Sequence, residues 1–285
     1  MASSTRPPLA ACRSALIDGF HRSVLDKKGY VSEASQNLIE GVRLRDFEAD
    51  LRQGDGNEME GKFRAAHSSS ALVVNTFARF KSDPAALRLP VGGGFASLSF
   101  ERKCPHGLAG RRSPNLDVVA EGPSGVVAIE SKCLEPLTPH VANFAPAYYA
   151  EIRDERRRTA WCTAWYREMQ RLGQDPCAYR WLDAAQLVKH AFGVAYTFLG
   201  RPMTLLYLFW EPSNPEAYPI FAEHQAEVTR FAASIGGGGP EFVFMSYPDL
   251  WRSWDACTEP DWLRAHVGRL RKRYGVAVAE GETGV

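Results

Sequence analysis

The amino-acid sequence predicts an α/β fold in which a central mixed β-sheet is flanked by helices. Three observations support this prediction. Apolar residues follow a helical period before and after the strand-like segments, two β-rich runs are joined by a short turn sequence, and one run is continuously apolar, as in a strand covered on both faces. The predicted order of elements is α, β, β, β, α, β, α, β, α, which 285 residues can form as a single domain.

Helices are predicted for the N-terminal part of the chain. Residues 1–56 are expected to form a helical extension, because Leu16 and Phe20 begin a run of apolar residues at helical spacing. Residues 57–80 keep a period of about 3.6 residues, and Pro84 follows, which disfavours continuation of a helix. This segment therefore predicts the first helix of the core.

Strands are predicted in the middle of the chain. Residues 87–101 alternate in strand fashion around a glycine tract. Residues 116–120 and 126–132 are β-rich, and the compact turn sequence of residues 121–125 between them predicts an antiparallel hairpin. The remaining predicted elements are an arginine-rich helix over 148–172, a helix over 182–192, a strand over 204–210, a helix over 221–235, a strand over 242–245 and a basic helix over 262–274.

The turn determines which residues of the hairpin face each other. If it is centred between Pro123 and Ser124, Asp117 lies opposite Glu130. Strand side chains alternate with a period of two, so Lys132 shares the face of the two carboxylates, and a slip of one residue would destroy the arrangement. The other face would carry five apolar residues that point into a core, namely Leu116, Val118, Ala120, Val127 and Ile129.

The predicted hairpin sets two carboxylates opposite each other, which is destabilising unless a positive charge compensates them. A divalent cation and the Lys132 ammonium are the obvious compensators. Mg²⁺ prefers carboxylate oxygens and keeps positions open for water and phosphate oxygens. A lysine beside the ion can orient the attacking water and stabilise negative charge on a phosphate. Asp117, Glu130 and Lys132 therefore predict metal-dependent phosphodiester hydrolysis.

The acid-x-lysine pattern has low specificity by itself. With 33 acidic residues in the chain, such tripeptides are expected by chance, and Asp26-Lys-Lys28, Glu60-Gly-Lys62 and Glu101-Arg-Lys103 also fit it. Glu130-Ser-Lys132 differs because it lies inside an apolar strand, with a second acid placed opposite it by a short turn. A structural salt bridge is the alternative interpretation.

The composition limits the class of partner. A formal net charge of +1 gives no global attraction to a polyanion, so contacts with nucleic acid must come from local clusters of Arg and Lys. The six cysteines include no C-x-x-C pair, which argues against a zinc site or a redox motif. Arg, Lys or Pro interrupts every apolar run before the roughly 18 residues that cross a bilayer. We therefore expect a cytoplasmic protein without a membrane partner.

Two segments of the hairpin resemble a known nuclease motif. Pro114-Asn-Leu-Asp117 followed by Ala128-Ile-Glu-Ser-Lys132 is similar to the core motif of the PD-(D/E)XK nuclease superfamily, with the departure that two residues separate Pro from Asp. The chain is also similar to an uncharacterised bacterial branch of that superfamily. The matching features of that branch are Lys62-Phe63, the run from His67 to Leu72 and the run from Phe100 to Lys103.

The resemblance implies a fold, a cofactor and further site residues. The fold would be a restriction-endonuclease-like core of order α-β-β-β-α-β over about residues 57–210, with N-terminal helical and C-terminal α/β additions. The cofactor would be Mg²⁺, for which Mn²⁺ could substitute. A further acid is implied on the first core helix, where Glu60 is our choice and Glu58 the alternative. The metal ligands would then be Asp117, Glu130 and Glu60.

Auxiliary residues are implied on two helices. On the first core helix, helical geometry places His67 on the side of Glu60, although a helix-dipole contact for Glu60 and a hydrogen-bonded core position for His67 are the alternatives. On the later helix the resemblance implies an auxiliary Gln or Lys, which Gln186 and Lys189 match, and His190 shares the face of Gln186 at i+4. A solvated helix face is the equal alternative there.

Two basic stretches are candidate nucleic-acid contacts. Arg153 and Arg157 belong to the first stretch, and Arg271 and Lys272 belong to the second, near the C-terminus. Phosphate neutralisation by such residues supplies sequence-independent affinity that depends on salt. Solvated helix faces or intrahelical ion pairs are the alternative interpretation.

These observations together predict a Mg²⁺-dependent DNA endonuclease of the restriction, defence or repair type. A catalytically inactive nucleic-acid-binding or assembly module with the same fold is the competing hypothesis, and hydrolysis of RNA is a third. A homodimer would provide the two active sites that a double-strand cut often needs.

Overall fold

Helices pack on both faces of a mixed β-sheet in the computed structural model of the chain. The described part of the chain comprises residues 8–20, 24–53, 58–108, 112–150, 155–161, 163–237 and 239–279. Its strands are β1 (Arg88–Leu89), β2 (Gly92–Gly93), β3 (Ser97–Lys103), β4 (Asn115–Gly122), β5 (Gly125–Lys132), β6 (Met203–Phe209) and β7 (Glu241–Ser246). Its α-helices are α1 (Pro8–Asp18), α2 (Glu48–Leu51), α3 (Ser69–Phe77), α4 (Pro146–Tyr149), α5 (Glu155–Ala160), α6 (Thr163–Gln174), α7 (Ala184–Thr197), α8 (Pro219–Ser234), α9 (Tyr247–Trp254) and α10 (Trp262–Tyr274).

The described strands β3 to β7 form one sheet in the order β3-β4-β5-β6-β7. The pairs β3·β4 and β4·β5 are antiparallel, whereas β5·β6 and β6·β7 are parallel. A parallel neighbour requires a crossover, and helices α4 to α7 supply one between β5 and β6, while α8 supplies the next. The predicted α/β class with a mixed central sheet flanked by helices is confirmed.

The hairpin of β4 and β5 has the predicted register. Val119 pairs with Ala128, and the strands are joined at Gly122 and Gly125, which face each other across a two-residue turn. Gly125 has a φ of +145°, and a Cβ at this position would lie 2.6 Å from the Pro202 carbonyl oxygen. Only glycine fits this conformation and this close approach, so the turn that sets the register is specified locally.

The two faces of the sheet belong to different apolar clusters. Val118, Ala120, Val127 and Ile129 pack in a cluster with α3, α9 and α10, as predicted. The prediction was wrong for Leu116, the fifth residue assigned to that face, because Leu116 packs in the opposite cluster, with α6 and α7. The physical reason is an irregularity at the neighbouring residue, Asp117. The pairing of β3 with β4 skips the position of Asp117, so the regular alternation of β4 is interrupted there.

The predicted helix over residues 57–80 was wrong in its first half. The structure begins α3 only at Ser69, after Ser68 caps it by accepting a hydrogen bond from the Ala71 N–H. Gly61 lies outside helical geometry, with φ −114° and ψ −110°, and Lys62–Arg64 form an isolated 3-10 turn. A serine cap and a glycine break therefore override the apolar period of this segment.

Other boundaries also differ from the prediction. The described part of the predicted helical N-terminal extension contains α1 and α2, with 3-10 turns between them. The predicted arginine-rich helix is divided into α4, α5 and α6, and α9 was not predicted. Pro248 lies in the first turn of α9, where proline is tolerated, although a proline more often indicates the end of a helix. Among the described helices, none has both the length and the apolar character needed to cross a membrane.

Candidate active site

Asp117, Glu130 and Lys132 come together where β4 begins and β5 ends. The Lys132 ammonium donates a hydrogen bond to Glu130 Oε1 at 2.5 Å. Asp117 Oδ2 accepts a hydrogen bond of 2.6 Å from the backbone N–H of Ser131, the residue between the two. The hairpin register thus places both acids and the lysine in one small region, as the sequence predicted.

Burial and neighbouring charges shift the pKa values of the two carboxylates in opposite directions. Glu130 is only 2% exposed, and burial alone would raise its pKa, but Lys132 and His190 outweigh burial and lower the pKa to about 2. Burial raises the pKa of Asp117 well above its usual value, and the negative charge of Glu130 raises it further. Burial opposes the charge of Lys132, yet Glu130 and Asp117 raise the lysine pKa. Glu130 therefore stays ionised, and Asp117 attracts a proton or a cation.

Helix α7 supplies two further contacts to the site. Gln186 Oε1 accepts a hydrogen bond of 2.7 Å from the Lys132 ammonium. His190 Nδ1 lies 3.0 Å from Glu130 Oε2, so the two oxygens of Glu130 face a lysine and a histidine. Asp183 caps the helix by accepting a hydrogen bond from the Gln186 N–H, which fixes the first turn of α7 over β5.

His190 received no role from the sequence, although its spacing from Gln186 was visible. The i, i+4 spacing places both side chains on one helix face, and that face covers β5. The second auxiliary candidate, Lys189, has a different environment. Its ammonium lies 5.2 Å from the centroid of the Phe144 ring, and burial lowers its pKa. The described contacts of Lys189 do not include the carboxylates or Lys132.

The acids proposed for the first core helix lie elsewhere. Glu60 is exposed in a turn, so the expectation that it projects from a helix was wrong, because Gly61 breaks helical geometry. Glu58 Oε1 accepts a hydrogen bond of 2.7 Å from Ser70 Oγ, near the start of α3. Within the described chain, neither acid contacts Asp117 or Glu130. No contact therefore supports a metal-binding role for Glu60 or Glu58.

His67 is half-buried rather than part of an acid-histidine pair on one helix face. Its ring makes an edge contact with Tyr30, with the ring centroids 6.3 Å apart. Burial lowers the pKa of His67 to about 4, so the ring is neutral at physiological pH. These features fit a packed position, but the buried Nδ1 of His67 has no hydrogen-bond partner among the described residues, unlike the hydrogen-bonded core position given as the alternative.

Glu101 on β3 is an acid that the sequence did not assign to the site. It lies across from Asp117, between the pairs Phe100·Val118 and Arg102·Leu116. Glu101 has a φ of +47°, the only positive φ of a non-glycine residue in the described chain. Its charge is the next cause, after burial and Glu130, that raises the pKa of Asp117. A third acid therefore approaches from the sheet itself rather than from a helix.

The candidate nucleic-acid contacts have unlike environments. Arg153 lies outside the described residues. Arg157 is buried, with its guanidinium 4.7 Å from the Trp161 ring centroid, an environment that does not favour the predicted phosphate contact. Arg271 forms hydrogen bonds of 2.8 and 2.6 Å with Asp255. Lys272 is exposed, which is compatible with the predicted contact.

The donor set suits a hard divalent ion. Mg²⁺ is commonly held by one or two carboxylates, with waters and substrate phosphates completing its coordination, and Asp117 and Glu130 offer such a pair. Burial and the negative charge of Glu130 raise the pKa of Asp117, and a cation beside the two carboxylates would offset both effects. The described chain contains no group of three His, Cys, Asp or Glu residues placed to hold a metal ion, so the protein ligands that this site offers are limited to the carboxylate pair.

Comparison with known proteins gives a family. No curated protein and no solved structure matches the chain. A family model described as "Restriction Endonuclease associating with ARP" matches residues 11–275, which include the hairpin and α7. This description points to a nuclease-like function, in agreement with the site. The chain therefore belongs to the family of restriction endonucleases associating with ARP.

Proposed function

We propose that the protein is a metal-dependent endonuclease that hydrolyses phosphodiester bonds of DNA, in a restriction, defence or repair setting. One observation carries the proposal. The Lys132 ammonium is held by Glu130 and Gln186 directly beside a pair of carboxylates with opposite proton affinities. The family description supports a nuclease with DNA as its substrate. The resemblance of the hairpin to the PD-(D/E)XK motif is consistent with the same chemistry.

Asp117 and Glu130 are the residues that would hold the ion. When bound, Mg²⁺ would polarise a phosphate oxygen and lower the pKa of a water molecule. The low pKa of Glu130, which Lys132 and His190 maintain against burial, keeps this ligand ionised throughout the physiological range. Asp117 carries the raised pKa, so its proton is the one that metal binding would displace.

Lys132 would orient the nucleophile and stabilise charge. An ammonium has three protons to donate, and Glu130 and Gln186 accept two of them. The third proton remains for a water molecule or for a non-bridging phosphate oxygen. Because the lysine pKa is raised, the side chain stays cationic while negative charge develops on the phosphate. Gln186 contributes by fixing the direction of the ammonium.

Plasmid cleavage tests the proposal. We expect wild-type protein to cut plasmid DNA with Mg²⁺, or with Mn²⁺ in its place, and to be inactive in EDTA. Lys132→Ala should abolish cutting. Lys62→Ala is the matched control, because Lys62 follows Glu60 with the same spacing but is exposed. Cleavage that persists in EDTA, or that survives Lys132→Ala, would contradict the mechanism.

Two finer points belong to the same experiment. An RNA of matched length, cut faster than DNA, would replace DNA as the substrate while leaving the chemistry intact. DNA binding without cleavage in either metal would favour the inactive nucleic-acid-binding module. We further propose a homodimer, which would supply two active sites for a double-strand cut. Sedimentation of the protein with DNA would test it.

A further inference from the structure

A cleft separate from the candidate active site lies beside helix α6, and its volume is about 620 Å³. This volume falls in the range of sites for small organic ligands. Its walls are the segment that follows β5 and the last two turns of α6. The side chains that define its chemistry are Asn143, Phe144, Tyr149, Gln170 and Gln174, with Gly173 between the last two. Asp117, Glu130 and Lys132 do not line this cleft.

An exposed tyrosine ring, packed against a buried phenylalanine, gives the cleft an aromatic surface. Phe144 is buried, whereas Tyr149 is 43% exposed, an unusual exposure for a large aromatic side chain in this chain. Their ring centroids lie 6.3 Å apart, and the rings are nearly perpendicular at 82°. The two rings therefore pack edge to face, and the exposure of Tyr149 leaves part of its aromatic surface open to a flat ligand.

Gly173 shows that this shape is built into the helix. A Cβ at Gly173 would lie 2.4 Å from the Tyr149 hydroxyl oxygen, closer than real Cβ contacts come. The φ of Gly173 lies outside the left-handed region, so the backbone does not require glycine there. Glycine is unfavourable within a helix, and here the space it leaves is taken by the tyrosine. A side chain at position 173 would therefore displace the Tyr149 hydroxyl from its present place.

Three side-chain amides surround the aromatic surface. Asn143, Gln170 and Gln174 are exposed, and none of their side-chain amides has a hydrogen-bond partner among the described residues. Gln170 and Gln174 are four residues apart on α6, so they project from the same helix face. An amide offers one acceptor and two donors, and Asn or Gln commonly pairs with two atoms on the edge of a base. The cleft combines stacking with hydrogen bonding in the manner of a nucleobase site.

Helix α7 connects this cleft to the candidate active site. Phe144 lies beneath the Lys189 ammonium, at 5.2 Å from nitrogen to ring centroid. Lys189 is one helical turn from Gln186, which in turn accepts a hydrogen bond from Lys132. The half-buried lysine between the two sites can contact a phosphate of a strand that passes over both.

We propose that the α6 cleft binds a nucleobase that has left the base stack of the substrate, near the phosphate to be cut. Tyr149 stacks on the base, and Asn143, Gln170 and Gln174 bond to its edge. The proposal rests on the proposed function for its nucleic-acid substrate, and it narrows that substrate to DNA with an unpaired or extruded base. In this proposal Lys189 contacts a phosphate of the nucleic-acid strand between the two sites.

Binding of two matched duplexes tests this proposal. One duplex carries a single bulged 2-aminopurine, and the other is fully paired with 2-aminopurine at the same position. The protein is the full chain with Lys132→Ala, kept in Mg²⁺ so that DNA binds without being cut. We expect the bulged duplex to bind roughly 5- to 150-fold more tightly, the range that base–aromatic stacking supplies, and its fluorescence to be quenched.

Substitutions assign the preference to the cleft. Tyr149→Ala, the pair Gln170→Ala with Gln174→Ala, and Gly173→Ala should each reduce the preference for the bulged duplex, while Tyr149→Phe should retain it. Gln53→Ala is the control, because Gln53 is an exposed glutamine on a turn of the N-terminal region. Thermal unfolding of each variant checks that the chain is folded.

The outcomes separate this proposal from the proposed function. Equal affinity for the two duplexes, or a preference that survives Tyr149→Ala and the glutamine pair, overturns the nucleobase cleft alone if the wild-type protein still cuts plasmid DNA in Mg²⁺. Absence of both DNA binding and cleavage overturns the cleft and the proposed function together.

Discussion

Two segments of this chain carry the same acid-x-lysine pattern in opposite environments. Glu130-Ser-Lys132 lies at the end of β5, where Glu130 is 2% exposed and the lysine bonds to both Glu130 and Gln186. Glu60-Gly-Lys62 lies in a turn before α3, where both charged side chains are exposed. In the strand, residues two apart share a face, whereas the glycine of the turn imposes no such constraint.

The difference lies in what water does to each pair. Exposed charges are hydrated and screened, so a surface acid and lysine scarcely perturb each other. At the end of β5, burial strengthens every interaction among the charges, which is why Glu130 has a pKa of about 2 while the pKa of Asp117 is raised. The surroundings of the tripeptide, rather than its sequence, make it a candidate active site, and four predictions test this comparison.

The largest effect should come from removing one acid from each pair. Glu130→Gln should reduce plasmid cleavage by roughly 10²- to 10³-fold or more, because it removes a metal ligand and the main partner of Lys132. Glu60→Gln should leave the rate of cleavage unchanged. The measurement is the initial rate of supercoiled plasmid loss in Mg²⁺. An equal loss in Glu60→Gln would restore the role that the family resemblance implied for Glu60.

The sequence predicted the hairpin well because its determinants are local. A two-residue turn with an obligatory glycine sets the register of β4 and β5. Strand alternation then places Glu130 and Lys132 on one face, and the hairpin brings Asp117 next to them, where it accepts a hydrogen bond from the Ser131 N–H. These three residues needed no knowledge of distant parts of the chain. The central mixed sheet followed in the same way, from short β-rich runs and the crossovers between them.

The remaining parts of the site depend on tertiary contacts. The face of α7 that meets β5 is set by packing, so the sequence showed the spacing of Gln186 and His190 but not their partners. Glu101 approaches Asp117 through an irregular backbone with φ +47°, which no pattern of residue types announces. The prediction for the segment before α3 was wrong although its determinants are local. The apolar period suggested a helix, whereas Gly61 and the Ser68 cap exclude one.

The second prediction compares two histidines, His190 on α7 and His67 in the segment before α3. His190→Ala should slow cleavage by roughly 10- to 100-fold, the usual cost of losing a residue that orients a ligand, because Glu130 Oε2 loses its neighbour at 3.0 Å. His67→Ala is the control, because His67 is half-buried and packs against Tyr30. The described contacts of His67 do not include Glu130. Comparing kcat and its pH profile with thermal stability distinguishes positioning from folding. A loss of stability without a change in kcat would contradict the role of His190.

The third prediction uses the opposed carboxylates. Burial and Glu130 raise the pKa of Asp117, so the stability that this group contributes is present below its unfolded pKa and is lost as pH rises through its folded pKa. In EDTA at pH 8, Asp117→Asn should therefore be more stable than wild type by on the order of 1 kcal/mol. Glu130→Gln should be less stable, because Lys132 and His190 overcome burial to lower the pKa of Glu130.

Thermal unfolding at several pH values checks the third prediction. The advantage of Asp117→Asn should shrink as the pH falls and Asp117 takes up its proton. Adding Mg²⁺ should stabilise wild type by about 2.7 kcal/mol at 100 times its Kd, and it should not stabilise the variant to the same extent. If Mg²⁺ stabilised both proteins equally, Asp117 would not be a metal ligand.

The smallest effect is expected for Glu58, the remaining acid of the turn segment. Glu58→Ala removes the acceptor of the Ser70 hydroxyl, a half-buried hydrogen bond of 2.7 Å, which should cost about 0.5–1.5 kcal/mol of folding free energy. Cleavage should be unchanged, because this carboxylate contacts the start of α3 and, among the described residues, neither Asp117 nor Glu130. Ser70→Ala should cost a similar amount, and the double variant should cost less than the sum of the two. A large loss of cleavage in Glu58→Ala with little loss of stability would instead place Glu58 at the metal, and the two acid-x-lysine segments would then belong to one site.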